Sequence, residues 1–207
     1  MQVERMTTMR GGLIWLAVAL AVTIPLVLAT VSPLLQWRGP IYIIAGFAGI
    51  LALGLMLVQP MLISVGMPGL SPMQERRVHR WVGAIIVLAI AVHIGGLWYY
   101  SAPDVIDALT FASPTPFSVW GVIAMWAVIA TALLAVIRRP IKMRPRTWRW
   151  LHTFLAVIIV VGTVVHAVLI EGTMEFVSKV ALCGLVILAT TRIVYDLART
   201  VAGRPGR

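Results

Sequence analysis

Residues 79–93 read HRWVGAIIVLAIAVH, and residues 152–166 read HTFLAVIIVVGTVVH. Each stretch begins and ends on a histidine with thirteen residues between, and these four histidines are all the chain has. A helix turns about 100° per residue, so fourteen steps return the second side chain to within about 40° of the first. The same fourteen steps climb about 21 Å, most of the roughly 30 Å hydrocarbon thickness of a bilayer. Two such helices side by side offer two facing imidazole pairs, one toward each membrane surface. A facing imidazole pair in a bundle core is a ligand set for an iron porphyrin. Polar interhelical contacts and a proton relay are the competing uses of a membrane histidine. The shared register of all four favours metal ligation.

Working outward, the composition puts these helices in a lipid bilayer. Hydrophobic residues make up 60% of the 207 residues and charged residues 12%, against about 25% charged in soluble domains. The single cysteine, Cys183, excludes an intrachain disulfide and a CxxC centre. Six segments are long and apolar enough to span: 12–31, 41–65, 78–100, 118–137, 148–170 and 177–197. The fold class is an all-α integral membrane protein, a six-transmembrane-helix bundle formed by a single domain over residues 1–207. Pro25 and Pro60 should kink the first two spans. The first span follows Arg5 and Arg10 but lacks a clear small-x-small cleavage site at its end, so it reads as retained.

The net charge of +10 is a topology signal and not a nucleic-acid footprint. Arg5 and Arg10 precede span one; Arg76, Arg77 and Arg80 lie in the connection from span two into the first residues of span three. Arg138, Arg139, Lys142, Arg144, Arg146 and Arg149 lie in the connection from span four into the first residues of span five, and Arg192, Arg199, Arg204 and Arg207 near the C-terminus. With six spans all fifteen fall on one side, leaving only Arg38 and Lys179 opposite, beside Asp104, Asp107, Glu171 and Glu175. The positive-inside rule makes the basic side cytoplasmic, with both termini inside. Anionic headgroups account for the charge, and no nucleic-acid partner is expected. Trp37, Trp98, Tyr99, Tyr100 and Trp120 cluster near the outer ends as an aromatic belt.

Spans three and five then run the same way. His79 and His152 lie level near the cytoplasmic surface, and His93 and His166 lie level about 21 Å further out. One turn inward of each histidine stands a small residue: Gly83, Ala89, Ala156 and Gly162. Small side chains there suit a flat macrocycle edge, and equally suit ordinary helix contacts. Arg77, Arg80 and Arg149 sit at the inner level, where they are candidate partners for porphyrin propionates as well as plain positive-inside residues. The outer acids suit a cationic acceptor or are solvated loop charges. Cys183 should pack as a small apolar residue.

Arg77-Val-His79-Arg80-Trp81-Val-Gly83 leading to Ala-Val-His93-Ile-Gly resembles the third helix of the ferric reductase-like transmembrane domain. Arg149-Trp-Leu-His152-Thr-Phe154 leading to Val-Val-His166 resembles its fifth. That family includes the membrane parts of ferric reductases and NADPH oxidases, and the haem-binding subunit of the bacterial methionine sulfoxide reductase system. The resemblance implies two haem b groups and electron transfer across the membrane. It implies His79 and His152 as ligands of an inner haem iron, and His93 and His166 as ligands of an outer one.

Ferric reductases and NADPH oxidases carry fused FAD and NADPH modules. This chain shows no G-x-G-x-x-G after a strand and no P-loop, so a separate flavoprotein, ferredoxin-like protein or quinol is expected to supply electrons. The sulfoxide-reductase subunit lacks the inner histidine that stands here as His79, which points to a two-haem relay. The resulting expectation is an oxidoreductase membrane component of a bacterial inner membrane, passing electrons from a cytoplasmic donor to a periplasmic acceptor. No flavin or quinone site is evident in the sequence. Two alternatives stand beside it: a quinol-linked cytochrome b subunit of a larger complex, and a non-redox proton channel or transporter. Respiratory cytochrome b carries such helices on spans two and four, which disfavours the first. The lack of mid-span acids disfavours the second.

Overall fold

In a computed structural model the chain is all-helical. It describes the backbone of residues 2–64 and 67–202, and the side chains of residues 9–63 and 67–199. The helices are α1 (Gln2–Thr30), α2 (Pro40–Ser64), α3 (Pro72–Tyr100), α4 (Ala102–Leu109), α5 (Pro116–Ile137), α6 (Pro145–Leu169) and α7 (Phe176–Ala202), with a 3-10 turn at Pro33–Leu35. No strand occurs among the described residues. All but α4 are long and apolar enough to cross a membrane, so the protein is multi-pass. Four of these six begin on proline: Pro40, Pro72, Pro116 and Pro145. Proline's fixed φ suits the first helical turn, where its missing N–H has no partner to lose.

The helices match the six expected spans to within a few residues except at two N-terminal ends and at the C-terminal end of α7, which runs on to Ala202. α1 already begins at Gln2. α3 begins at Pro72, so Arg76, Arg77 and Arg80 lie on its first turns and not in a connecting loop. The amphipathic α4, between spans three and four, was not anticipated. Val65, Arg204 and Arg207 lie outside the described residues, as does the side chain of Arg5.

The chain forms two compact units. The first comprises Met1–Pro33, Ile50–Ile86 and Met174–Arg207. Within it Val18 and Leu62 pack with Met67, and Ile14, Val58, Met61, Val78 and Val82 surround them. The Trp15 indole N–H donates to the Pro68 carbonyl at 2.9 Å. The Met67 N–H donates to the Glu75 carboxylate at 2.6 Å, which ties the α2–α3 connection to the start of α3. On α7, Leu182, Cys183 and Val186 are buried, so the cysteine packs as a small apolar side chain.

The second unit comprises Leu34–Gly49 and Val87–Thr173. Here α5 and α6 lie close together because Gly162 has no side chain. A Cβ there would meet the Trp120 carbonyl oxygen at 2.9 Å and the Ala124 methyl at 3.1 Å. Gly96 lets α3 approach α2 similarly, its Cβ position lying 2.8 Å from Ala45 Cβ. Ser113, Thr115 and Ser118 bond one another by their hydroxyls at the start of α5. Leu88, Phe154 and Leu188 are among many large apolar side chains left exposed, as lipid-facing helices require.

Candidate functional site

His93 and His166 both belong to the second unit. His93 stands on the C-terminal half of α3 and His166 in the last turn of α6. Their ring centres lie 6.5 Å apart, with planes 83° from parallel. Each ring is tied to a neighbouring helix. Nδ1 of His93 lies 2.7 Å from the Ala45 carbonyl oxygen on α2, and Nδ1 of His166 lies 2.9 Å from the Phe117 carbonyl oxygen on α5. A carbonyl oxygen only accepts, so Nδ1 carries the proton in both rings. The neutral ring then has its lone pair on Nε2. The Phe117 ring meets His166 edge-on at 5.7 Å.

This is the outer support that a metal-ligating imidazole ordinarily has. Roughly 2 Å from metal to nitrogen, and about 1 Å more to the ring centre, sets two opposed ligand rings about 6 Å apart. The observed 6.5 Å fits that spacing. Among the described residues, no group of three or more His, Cys, Asp or Glu side chains converges. A pair of imidazoles suits an iron whose other four positions a macrocycle fills.

His79 lies in the first unit, with Nδ1 3.3 Å from the Gln59 carbonyl oxygen on α2. The same argument places its proton on Nδ1. Gln59 also extends beside Gly83, whose Cβ would meet the Gln59 amide nitrogen at 3.0 Å, and its Oε1 is buried with no hydrogen-bond partner among the described residues. His152 lies in the second unit, stacked on Trp148.

The other expected residues fall variously. Ala89 is buried and Ala156 half-buried. Gly162 has a helix-packing partner in α5, which by itself requires a glycine. Arg77, Arg80 and Arg149 are exposed. Of the outer acids, Glu175 caps α7: its carboxylate accepts the N–H groups of Val177 at 2.6 Å and Ser178 at 2.8 Å. The Ser178 N–H first, then that of Val177, holds this carboxyl below its ordinary range. Arg38 lies over the Tyr42 ring, 4.6 Å from its centre, and Tyr42 on α2 meets Tyr100 on α3 at 5.0 Å. Lys179 is buried on α7.

Sequence reasoning missed Ala45, Gly49, Phe117 and Gly121, which lie behind the outer histidines, and Trp148, which lies beside His152. The structure shows two near-equal offsets that no sequence pattern marks. Ala45 precedes His93 by 48 residues and Phe117 precedes His166 by 49.

A family profile described as ferric reductase like transmembrane component matches residues 48–163. The match takes in His79, His93 and His152. No curated protein and no solved structure matches the chain.

Proposed function

The chain belongs to the ferric reductase-like transmembrane component family, and from that premise we propose that it is a two-haem relay carrying electrons from a cytoplasmic donor to a periplasmic acceptor. At the coarser level it is a multi-pass transmembrane redox component, the membrane part of an oxidoreductase. One observation carries the finer reading. His93 and His166 stand 6.5 Å apart, each with its Nδ1 proton given to a backbone carbonyl of a neighbouring helix.

His93 and His166 would hold an outer haem b, and His79 and His152 an inner one. Held by these histidines, the haems would supply single-electron uptake and release. The chain's own work is to hold the ligands. The Ala45 and Phe117 carbonyls keep the Nδ1 protons in place, so each Nε2 lone pair is presented in one tautomer. The apolar helices exclude water around the pair, which lowers the local dielectric. The attachment is non-covalent, because Cys183 is the single cysteine and no CxxCH is present.

The basic residues set direction. Arg138, Arg139 and Lys142 line an open pocket with Trp148 at the α5–α6 connection. By the positive-inside rule this connection, Arg149, the start of α3 with Arg76, Arg77 and Arg80, and both termini would be cytoplasmic. Such a basic face steers an acidic flavoprotein or ferredoxin-like donor. The setting is a bacterial inner membrane.

A reduced-minus-oxidised spectrum with a pyridine haemochrome assay on the purified full-length protein tests the reading. Two b-type haems per chain are expected. A fully loaded preparation with one haem or none would overturn it.

A further inference from the structure

Both outer ligands are anchored by one recurring device. In an α-helix the carbonyl of residue i bonds the N–H of residue i+4, and its second lone pair remains available. A helical side chain leans toward the N-terminus, so the side chain at i+4 covers that lone pair. At the two carbonyls that receive the outer histidines, position i+4 is glycine. Gly49 follows Ala45 by four residues, and Gly121 follows Phe117 by four. The space a side chain would take is filled by imidazole. A Cβ on Gly121 would lie 2.7 Å from His166 Nδ1 and 3.0 Å from its Cε1. A Cβ on Gly49 would lie 3.1 Å from His93 Nδ1 and 3.2 Å from its Cε1.

The third anchored histidine is a natural comparison. His79 reaches the Gln59 carbonyl, where position i+4 is Ile63 and not glycine. There the nitrogen–oxygen distance is 3.3 Å, against 2.7 Å and 2.9 Å at the glycine sites. The short contacts occur where the carbonyl is uncovered.

We infer that Gly49 and Gly121 are positioning residues for the outer haem ligands. By leaving the Ala45 and Phe117 carbonyls bare, they admit His93 and His166 and fix both the tautomer and the plane of each ring. The inference rests on the bis-histidine reading above and extends it to two residues that touch only the back of the ligands.

The test uses full-length protein in detergent, carrying Gly121→Ala or Gly49→Ala. A comparison variant, Gly54→Ala, introduces similar crowding, 3.1 Å from Val22 Cγ1, with no histidine nearby. The outer haem's low-spin ferric EPR signal is identified as the one lost in His93→Ala. Haem affinity is then measured by titration of haem-depleted protein. Disturbing a ligand's outer support costs about 10- to 100-fold in metal-site affinity. Gly121→Ala should weaken outer haem binding by about tenfold or more and shift its EPR signal. Gly49→Ala should do so in the same direction but less, and Gly54→Ala not at all. If Gly121→Ala fails to accumulate, the milder Gly49→Ala decides. Wild-type protein that binds no haem overturns the bis-histidine reading and this inference together. Wild-type protein with two haems whose outer signal and affinity survive both substitutions overturns this inference alone. So does an equal loss of outer haem in Gly54→Ala.

Discussion

Trp148 lies nearly flat against His152, with ring centres 4.9 Å apart and planes 21° from parallel. The Arg138 guanidinium sits over the same indole, 4.3 Å from its centre. A cation from the α5–α6 connection, an indole and a proposed ligand thus form a continuous stack within one unit. The indole both restrains the His152 ring and places an extended π-system beside it, at the end of α6 that bears the basic cluster.

Removing that restraint should be measurable. Trp148→Ala should weaken haem binding at the His152 site by about three- to tenfold, the scale of an aromatic pair at about 0.5–1.5 kcal/mol. Trp148→Phe should recover most of it. The outer haem should keep its affinity and potential. Redox titration of each variant, following the two haems separately, checks this. Equal perturbation of both haems would mean that Trp148 acts through general stability.

Single ligand removals should divide the haem content. His93→Ala and His166→Ala should each leave one haem per chain, and the two should share one residual spectrum, because both empty the same site. His79→Ala should leave a different residual spectrum. Pyridine haemochrome counts with low-temperature spectra test this, and differing residual haems in His93→Ala and His166→Ala would break the proposed pairing.

Gly162 and Gly83 should respond differently to bulk. Gly162→Ala drives a methyl against the Trp120 carbonyl oxygen and Ala124, so overpacking should cost roughly 1–3 kcal/mol of stability, seen as a lower melting temperature. Gly83→Ala meets only the movable end of Gln59 and should melt within a few degrees of the wild-type protein. Larger destabilisation by Gly83→Ala than by Gly162→Ala would contradict the packing described here.

Glu175 supplies a pH-dependent cap. Its carboxyl is held below the ordinary value by the Ser178 and Val177 N–H groups, so its contribution is present above the unfolded carboxyl's range. It is lost as the pH falls through the lowered folded value. Glu175→Ala should therefore melt below the wild-type protein at pH 7, and the gap should close under more acidic conditions. A gap that stays constant down to pH 3 would mean the effect is not that of the charged cap.

Donor coupling should be salt-sensitive. Reduction of inward-facing protein in vesicles by an acidic donor should slow about tenfold as the Debye length shortens from about 30 Å to about 3 Å. Replacing Arg138, Arg139 and Lys142 with glutamine should remove most of that dependence. A rate indifferent to salt would point to quinol as the donor.

Much of this protein is written locally along the chain. Apolar runs of twenty or so residues declare spans because lipid offers backbone groups no other partner, and the six helices follow. The H-x13-H spacing declares one face of a helix because the helical period is fixed, and His93 and His166 do meet. The burial of Cys183 follows from its type and setting. The runs around His79 and His152 that carry the family resemblance are likewise contiguous, and the family match over residues 48–163 bears out the family.

What holds the histidines was decided only in three dimensions. The acceptors for His93 and His166 are backbone carbonyls 48 and 49 residues earlier, and every residue but for its side chain has the same carbonyl. Nothing in the letters Ala45 or Phe117 advertises that role. Gly49 and Gly121 matter through what is absent from them, and that absence has meaning only once another helix's imidazole occupies the space. The sequence placed small residues one turn inward along the ligand helices, because periodicity relates positions on one helix. The close approach instead comes from neighbouring helices, for which no period exists: Gly162 faces α5, while the glycines against the rings stand on α2 and α5. Tautomer, ring plane and the Trp148 stack are properties of contacts between segments, set by how the apolar faces pack and not by any one segment's pattern.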